Sequence, residues 1–419
     1  MTEVGTPSHL KVYKDQGRLK ALFVTLHDAS RLQRVSRFIG LLRSLGFDVH
    51  LLGPPIEREL SITSHTKLSA LSSSGSAFLH HAKKIRYLLG SLLPGYRALH
   101  RSIERRFDLA KIMSHIDIST YDLVVVEEVE LLPPILARRT SELPRVVCEL
   151  RDVNLRGEYW DFTSAYHIWR EKRIYRRALA EADAIITVSE GQRKALHEYS
   201  SLDSHVLRSL PPAANLAPSP VSANSIRLVY HGLVSRYRRS MFMIELMQHL
   251  DDRFTLDVFA VAVPGDKTLS QLRKEAALHD RVTVHDPVPP ENLISRLQSF
   301  DLSLIVFPSR ATNHRTALPN KFFESIQACL GVIAAEDSDM TPYLRDWGLG
   351  VTVPRFSVRS VAAKLNSLHR SDIVHFKERA HLASEVLKFE SEEARYRSLL
   401  AELLEGLSAT NGHPSRESS

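Results

Sequence analysis

Residues 19–53 read LKALFVTLHDASRLQRVSRFIGLLRSLGFDVHLLG. The opening eight residues are mostly apolar without strict alternation, which predicts a strand covered on both faces rather than on one. Residues 27–46 then predict a helix ending near Gly46, and FDVHLLG predicts a second short strand. Strand, helix and strand in so short a stretch open a parallel α/β sheet. The loop after the first strand holds His27 and Asp28 instead of a run of glycines. The dinucleotide-binding GxGxxG pattern is absent there, so this domain gives no support for an NAD site.

The same rhythm continues outward. YDLVVVEE (121–128) and LPRVVCELRD (143–152) predict strands, with a helix expected over 165–181. ADAIITVSEGQRKALHEYS (182–200) predicts strand, turn and helix, with Ser189 and Glu190 suited to cap the helix. Residues 61–76 are polar and predict a loop. LRSLPPAANLAPSPVSAN (207–224), rich in Pro, Ala and Ser, predicts an interdomain linker. A second series begins at IRLVYHG (226–232) and runs through LSLIVFP (302–308), NKFFESIQACL (320–330) and GVIAA (331–335). The expected fold is α/β: two doubly wound, Rossmann-like domains facing each other across a cleft, over 19–210 and 225–371. A charged helical segment over 372–407 is long enough to cross back over the first domain.

Bulk composition fits this plan. A chain of 419 residues, 43% hydrophobic and 25% charged, can bury the cores of two domains. Its two cysteines, Cys148 and Cys329, lie in apolar segments without metal-ligand spacing and fit a reducing compartment. The first twenty residues lack a signal-peptide core, and no segment has the apolar length of a membrane span. The expectation is a cytoplasmic protein. A net charge of +7 suggests an anionic partner without saying which. Residues 83–111 carry eight basic and two acidic side chains among leucines, isoleucines and tyrosines. They suit either a solvated flank of the sheet or a surface lying on anionic lipid at the inner face of the plasma membrane. No recognised nucleic-acid module is present, so no nucleic-acid partner is expected.

Three clusters can carry chemistry. In TALPNKFFESIQACLGVIAA (316–335), Pro319 suits a helix start, and Asn320, Lys321 and Glu324 lie in the first turns. A carboxylate can accept from a ribose diol and a lysine can reach phosphate, but a Lys–Glu pair on a helix can equally be a solvated face. In VYHGLVSRYRR (229–239), Gly232 follows a strand and precedes Arg236, Arg238 and Arg239, whose planar donors suit phosphate; ordinary surface charge is the alternative. In CELRDVNLRGEYW (148–160), Arg151 and Asp152 end a strand on the edge shared with His27 and Asp28. A local ion pair for the first two, and helix capping by Asp28, compete with a ligand-binding reading. No zinc pattern, P-loop or GxSxG elbow occurs, and no metal or cofactor is expected.

Taken in order, RVSRFIGLLRSLGFDVHLLG, ADAIITVSEGQRKAL, VYHGLVSRYRR and ALPNKFFESIQACLGVIA resemble the retaining glycosyltransferases of GT-B fold, group 1 or family 4. The resemblance implies hexosyl-type transfer from a nucleotide-sugar to a polysaccharide, glycolipid or other glycoconjugate acceptor, the donor held mainly by the second domain. It puts Glu324 on the ribose, Arg238 (or its neighbours Arg236 and Arg239) on the diphosphate, and Lys321 in a supporting NK element. Gly232 and Asn320 fall in the same donor-binding segments, while His27, Asp28, Arg151 and Asp152 fall on the acceptor side. Two departures stand out: Thr316 replaces a glutamate that many relatives carry, and Arg151 stands where related chains can have histidine. They leave donor choice open and allow a catalytically silent nucleotide-sugar-binding or scaffold protein; a GT-B nucleotide-sugar epimerase is a separate alternative.

Overall fold

The structure, a computed structural model, describes residues 18–68, 116–140, 143–153, 169, 172, 176–263, 265–306, 312–353 and 357–410. The first sheet consists of β1 (Lys20–Val24), β2 (Asp48–Gly53), β3 (Ser64–Lys67), β4 (Leu123–Val126), β5 (Arg145–Glu149), β6 (Ala184–Thr187) and β7 (His205–Val206). All its pairs are parallel, in the order β3-β2-β1-β4-β5-β6-β7. The chain therefore moves outward from β1 in one direction, returns, and moves outward in the other, so the switch point lies between β1 and β4. Its described helices are α1 (Gln33–Ser44), α2 (Leu132–Leu136) and α3 (Glu190–Ser200). As the sequence predicts, Ser189 caps α3, accepting from the Gln192 amide at 3.1 Å.

The second sheet repeats the plan with β8 (Ile226–Val234), β9 (Phe254–Ala262), β10 (Val282–His285), β11 (Leu302–Ile305), β12 (Gly331–Ala335) and β13 (Gly350–Val353). Its order is β10-β9-β8-β11-β12-β13, again parallel throughout, with the switch point between β8 and β11. Around it lie α4 (Phe242–Met247), α5 (Thr268–Ala276), α6 (Pro290–Leu297), α7 (Thr312–Thr316), α8 (Asn320–Gln327), α9 (Thr341–Trp347), α10 (Val358–Asn366) and α11 (Arg370–Ser384). The final described helix, α12 (Phe389–Thr410), returns to the first sheet. Two Rossmann-like units, each a parallel sheet flanked by helices, form a GT-B fold.

Two expectations need correction. The polar stretch at 61–76 contains β3, whose exposed side chains carry no apolar signal because it closes one edge of the sheet. The helix predicted to begin at residue 27 is delayed: Asp28 caps a 3-10 turn over Ala29–Arg31, and Leu32 is extended before α1 starts. The helix expected over 165–181 lies largely outside the described residues; residues 169, 172, 176 and 177 are helical, and Leu179–Glu181 form a 3-10 turn. The basic segment 83–111 also lies outside the described residues.

Parallel sheets bury both faces. On one face of the first sheet, Phe23, Phe38, Leu42, Phe47 and Val125 pack with Tyr396, Leu399, Leu400 and Leu404 of α12. The Phe38 and Tyr396 rings lie 4.9 Å apart. Beneath them, Arg34 of α1 makes a buried ion pair with Glu149 at the end of β5 and donates to the Leu207 carbonyl, pinning α1 to its sheet. Leu400→Ala should therefore destabilise the protein by about 2–5 kcal/mol, the range for emptying a packed core site, as read from urea unfolding.

Candidate functional site

At the switch point of the second sheet, β8 pairs with β11 only through Leu302↔Leu228 and Ser303↔Val229. Beyond that pairing, β8 presents Tyr230, His231 and Gly232 towards α8. Gly232 has a φ of +113°, a conformation that a side chain would strain. Pro319 is the N-cap of α8, and the helix buries Phe322, Phe323 and Ile326 against its domain. The same packing draws Lys321 and Glu324 inward, leaving them only 7% and 5% exposed. A solvated face is thereby excluded for this pair.

Each charge is answered. One Glu324 carboxylate oxygen lies 3.1 Å from His231 Nε2 of β8, and the other accepts from Gln33 Nε2 of α1 at 3.2 Å. Burial opposes ionisation of Glu324, but these two hydrogen bonds and the nearby Arg37 hold it below the ordinary glutamate range. The Lys321 ammonium sits 4.0 Å from the centre of the Tyr230 ring. Burial lowers the Lys321 pKa, with Tyr230 opposing and Arg238 reinforcing the shift. Burial pushes the Tyr230 phenol upward, yet Lys321 and Arg238 together bring it below its usual value. Tyr230, Lys321 and Arg238 thus form one electropositive cluster beside the Gly232 backbone.

The remaining donor-side residues divide. Arg236 and Arg239 are exposed in the turn after β8, where the Arg236 amide donates to Asp266 at 2.8 Å and the Arg239 amide to the Arg236 carbonyl at 2.9 Å. Arg239 holds a φ of +49°. The Asn320 side-chain carbonyl accepts from Ser209 at 2.6 Å, a contact from the segment that joins the two units. Thr316, the departure noted above, gives its carbonyl to Ser189 at 2.6 Å, and Asp339 accepts from the Gly191 amide at 2.8 Å. The start of α3 in the first unit is thereby tied to the second.

The switch point of the first sheet gathers a different chemistry. Glu127 and Glu128 follow β4, and Thr25, Leu26 and His27 follow β1. Thr25 donates to Glu127, and the Leu26 amide donates to Glu128 at 3.0 Å. Arg151 pairs with Glu127 at 3.3 Å, and exposed His27 stands 3.5 Å from Glu128. Burial and the neighbouring Glu127 push the Glu128 carboxyl up to about 8. Partial burial, with Arg151 near, lowers the His27 pKa. Asp28 is engaged in capping, accepting from the Ser30 amide at 2.9 Å and its hydroxyl at 2.6 Å. Asp152 is exposed beside this cluster. Among the described residues, no group of three or more His, Cys, Asp or Glu side chains could hold a metal ion, and no helix is long and apolar enough to cross a membrane.

Of the residues gathered at these two points, the sequence singles out Gly232, Lys321 and Glu324 but not His231, Tyr230, Gln33, Glu127 or Glu128. Paired glutamates directly after the LVVV strand, and a histidine inside LVYHG, were available as signals. Nothing local marks Gln33, whose partner is contributed by the other unit.

The chain matches no family model and no curated protein. Solved structures match it almost end to end at low identity. Sucrose-phosphate synthase from Thermosynechococcus elongatus is 14% identical with a TM-score of 0.69, over 93% of this chain and 100% of that one. The Anabaena protein HepE, solved with UDP and glucose, is 13% identical with a TM-score of 0.64, over 92% and 100%. The N-terminal domain of trehalose-6-phosphate phosphatase from Candida albicans is 11% identical with a TM-score of 0.61, over 93% and 97%. The similarity defines the fold class, GT-B, which glycosyltransferases share with this phosphatase domain.

A glutamic acid with a raised folded-state pKa stabilises the fold while protonated, and this contribution is lost as pH rises through the folded value. The protein should therefore lose stability between roughly pH 5 and pH 9 as Glu128 ionises. Glu128→Gln should flatten that decline, as measured by thermal melting across the range.

Proposed function

We propose that this chain is a retaining glycosyltransferase of the group 1 or family 4 type, using a nucleotide-sugar donor and a glycan, glycolipid or other glycoconjugate acceptor. The observation that carries the reading is the buried Glu324–His231 pair beside the Lys321–Tyr230–Arg238 cluster, at the switch point of the second sheet. Ligands of doubly wound sheets bind at such crevices. Glu324, held ionised, is a strong acceptor for ribose hydroxyls. Arg238 and Lys321 supply cationic donors for a diphosphate, with Gly232 allowing close backbone approach and Arg236, Arg239 and Asn320 at the margin.

Loss of a nucleoside diphosphate places developing negative charge on the leaving phosphate oxygen. Cations already placed, Lys321 by burial and Arg238 beside it, stabilise that charge without reorganising during the reaction. His27, Asp28, Arg151 and Asp152, with Glu127 and Glu128, offer hydrogen-bonding groups to an acceptor hydroxyl from the opposite unit. The bound UDP and glucose named for the Anabaena neighbour support this donor class. The same reading makes the chain a cytoplasmic enzyme of polysaccharide biosynthesis. Contact with the inner face of the plasma membrane through residues 83–111 belongs to the same reading.

A donor panel measuring both nucleotide release and product formation tests it. Acceptor-dependent release supports transfer; sugar interconversion without acceptor would identify an epimerase. Binding without turnover, which the Thr316 and Arg151 departures allow, would identify a silent module. Glu324→Ala should weaken donor binding about tenfold or more, the scale of a lost hydrogen bond to a charged group, without a change in the far-ultraviolet dichroism. Neutralising the lysines and arginines of 83–111 should reduce binding to phosphatidylserine-containing vesicles in a flotation assay.

A further inference from the structure

Glu324 belongs to the second unit, but one of its two hydrogen-bonding partners belongs to the first. Gln33 opens α1, and its amide nitrogen donates to Glu324 Oε1 at 3.2 Å. An amide side chain could turn either end towards a carboxylate, and only the nitrogen end is attractive. Arg37, one turn further along α1, decides the matter. Its guanidinium donates to Gln33 Oε1 at 2.7 Å, so the amide nitrogen faces Glu324. Arg37 is itself fixed by donation to the Leu210 carbonyl, and α1 is held to its sheet by the Arg34–Glu149 pair. The result is a directed chain, Arg37 to Gln33 to Glu324, with His231 closing the far side.

Burial gives this chain its consequence. With only 5% of Glu324 exposed and both its carboxylate oxygens hydrogen-bonded, a ligand hydroxyl has little open approach to the carboxylate. Gln33, itself only partly buried, is the one of its two hydrogen-bonding partners that comes from across the cleft; His231 is 4% exposed and part of the sheet. A ribose diol and an amide N–H are both donors and compete for the same acceptor oxygen.

We propose that Gln33, its amide oriented by Arg37, is a positioning residue that occupies the Glu324 carboxylate from the opposite domain and yields it to the ribose hydroxyls of an incoming nucleotide, so that nucleotide binding releases the contact between α1 and α8. This rests on the reading of Glu324 as the ribose acceptor. It adds that the ribose must displace a part of the protein, and that nucleotide occupancy is thereby linked to how the two units meet.

The test is calorimetric titration of the full chain with UDP, GDP, ADP and CDP, followed by the 2′,3′-dideoxy form of the tightest binder. Gln33→Ala, and Gln33→Met, which keeps the side-chain length and loses the donor, should bind the ribonucleotide about tenfold more tightly than the unchanged protein. Neither variant should gain affinity for the dideoxy form, which has no hydroxyls to compete for Glu324. Unchanged or weaker ribonucleotide binding, or an equal gain for the dideoxy form, overturns the proposal. Glu324→Ala separates the two layers. If it weakens binding while the Gln33 variants change nothing, the ribose reading stands and the role of Gln33 falls. If it leaves binding unchanged, the ribose reading falls. If no nucleotide binds the unchanged protein or either Gln33 variant, both fall.

Discussion

A parallel sheet has no face it can leave to water, because every crossover lays a helix against it and its strands are apolar on both sides. Everything else in this molecule follows from meeting that demand twice. The second unit covers its sheet with its own helices, in the clusters around Leu228 and Phe323. The first unit covers one face partly with α12, a helix that reaches it only after the second unit is complete. The chain consequently crosses between the units twice, at residues 207–225 and again between α11 and α12. The Phe389 amide donates to the Pro211 carbonyl at 2.8 Å, tying the two crossings to each other. Gln327 bonds the Ala214 amide as well as the Ser384 and Leu387 carbonyls, so both crossings are also anchored to α8, the helix that carries Lys321 and Glu324.

The two switch points are placed by the same topology and filled by opposite chemistry. In the first, buried acids share a crevice with Thr25, His27 and Arg151. In the second, Lys321 and Arg238 lie beside a tyrosine, and the single carboxylate is hydrogen-bonded by partners on both sides.

How much of this could be read from sequence depended on burial and on distance along the chain. Strands in the middle of each sheet, such as LFV in β1 and GVIAA in β12, advertise themselves as apolar runs because both faces are covered. The strands that escaped notice, β3, β7 and β13, all lie at sheet edges. An edge strand needs fewer apolar contacts, so SHTK looks like a loop. The site divided in a similar way. Gly232, Lys321 and Glu324 sit in short motifs beside strand ends. The partnership of Glu324 with Gln33 joins elements from different units, and no local pattern encodes it. Asp28 shows the capping alternative in place: one of its oxygens is occupied by the turn that it starts, and the other accepts from the Glu57 amide.

The return of α12 has a further implication for synthesis. Tyr396, Leu399, Leu400 and Leu404 leave the ribosome after the whole second unit, yet they complete a hydrophobic face of the first. Until then Phe38, Leu42 and Phe47 have an unfinished covering, although the strands beneath them are already translated. The usual order, in which an N-terminal domain finishes before the next begins, cannot hold here. That face of the first unit reaches its native packing only once α12 has been made.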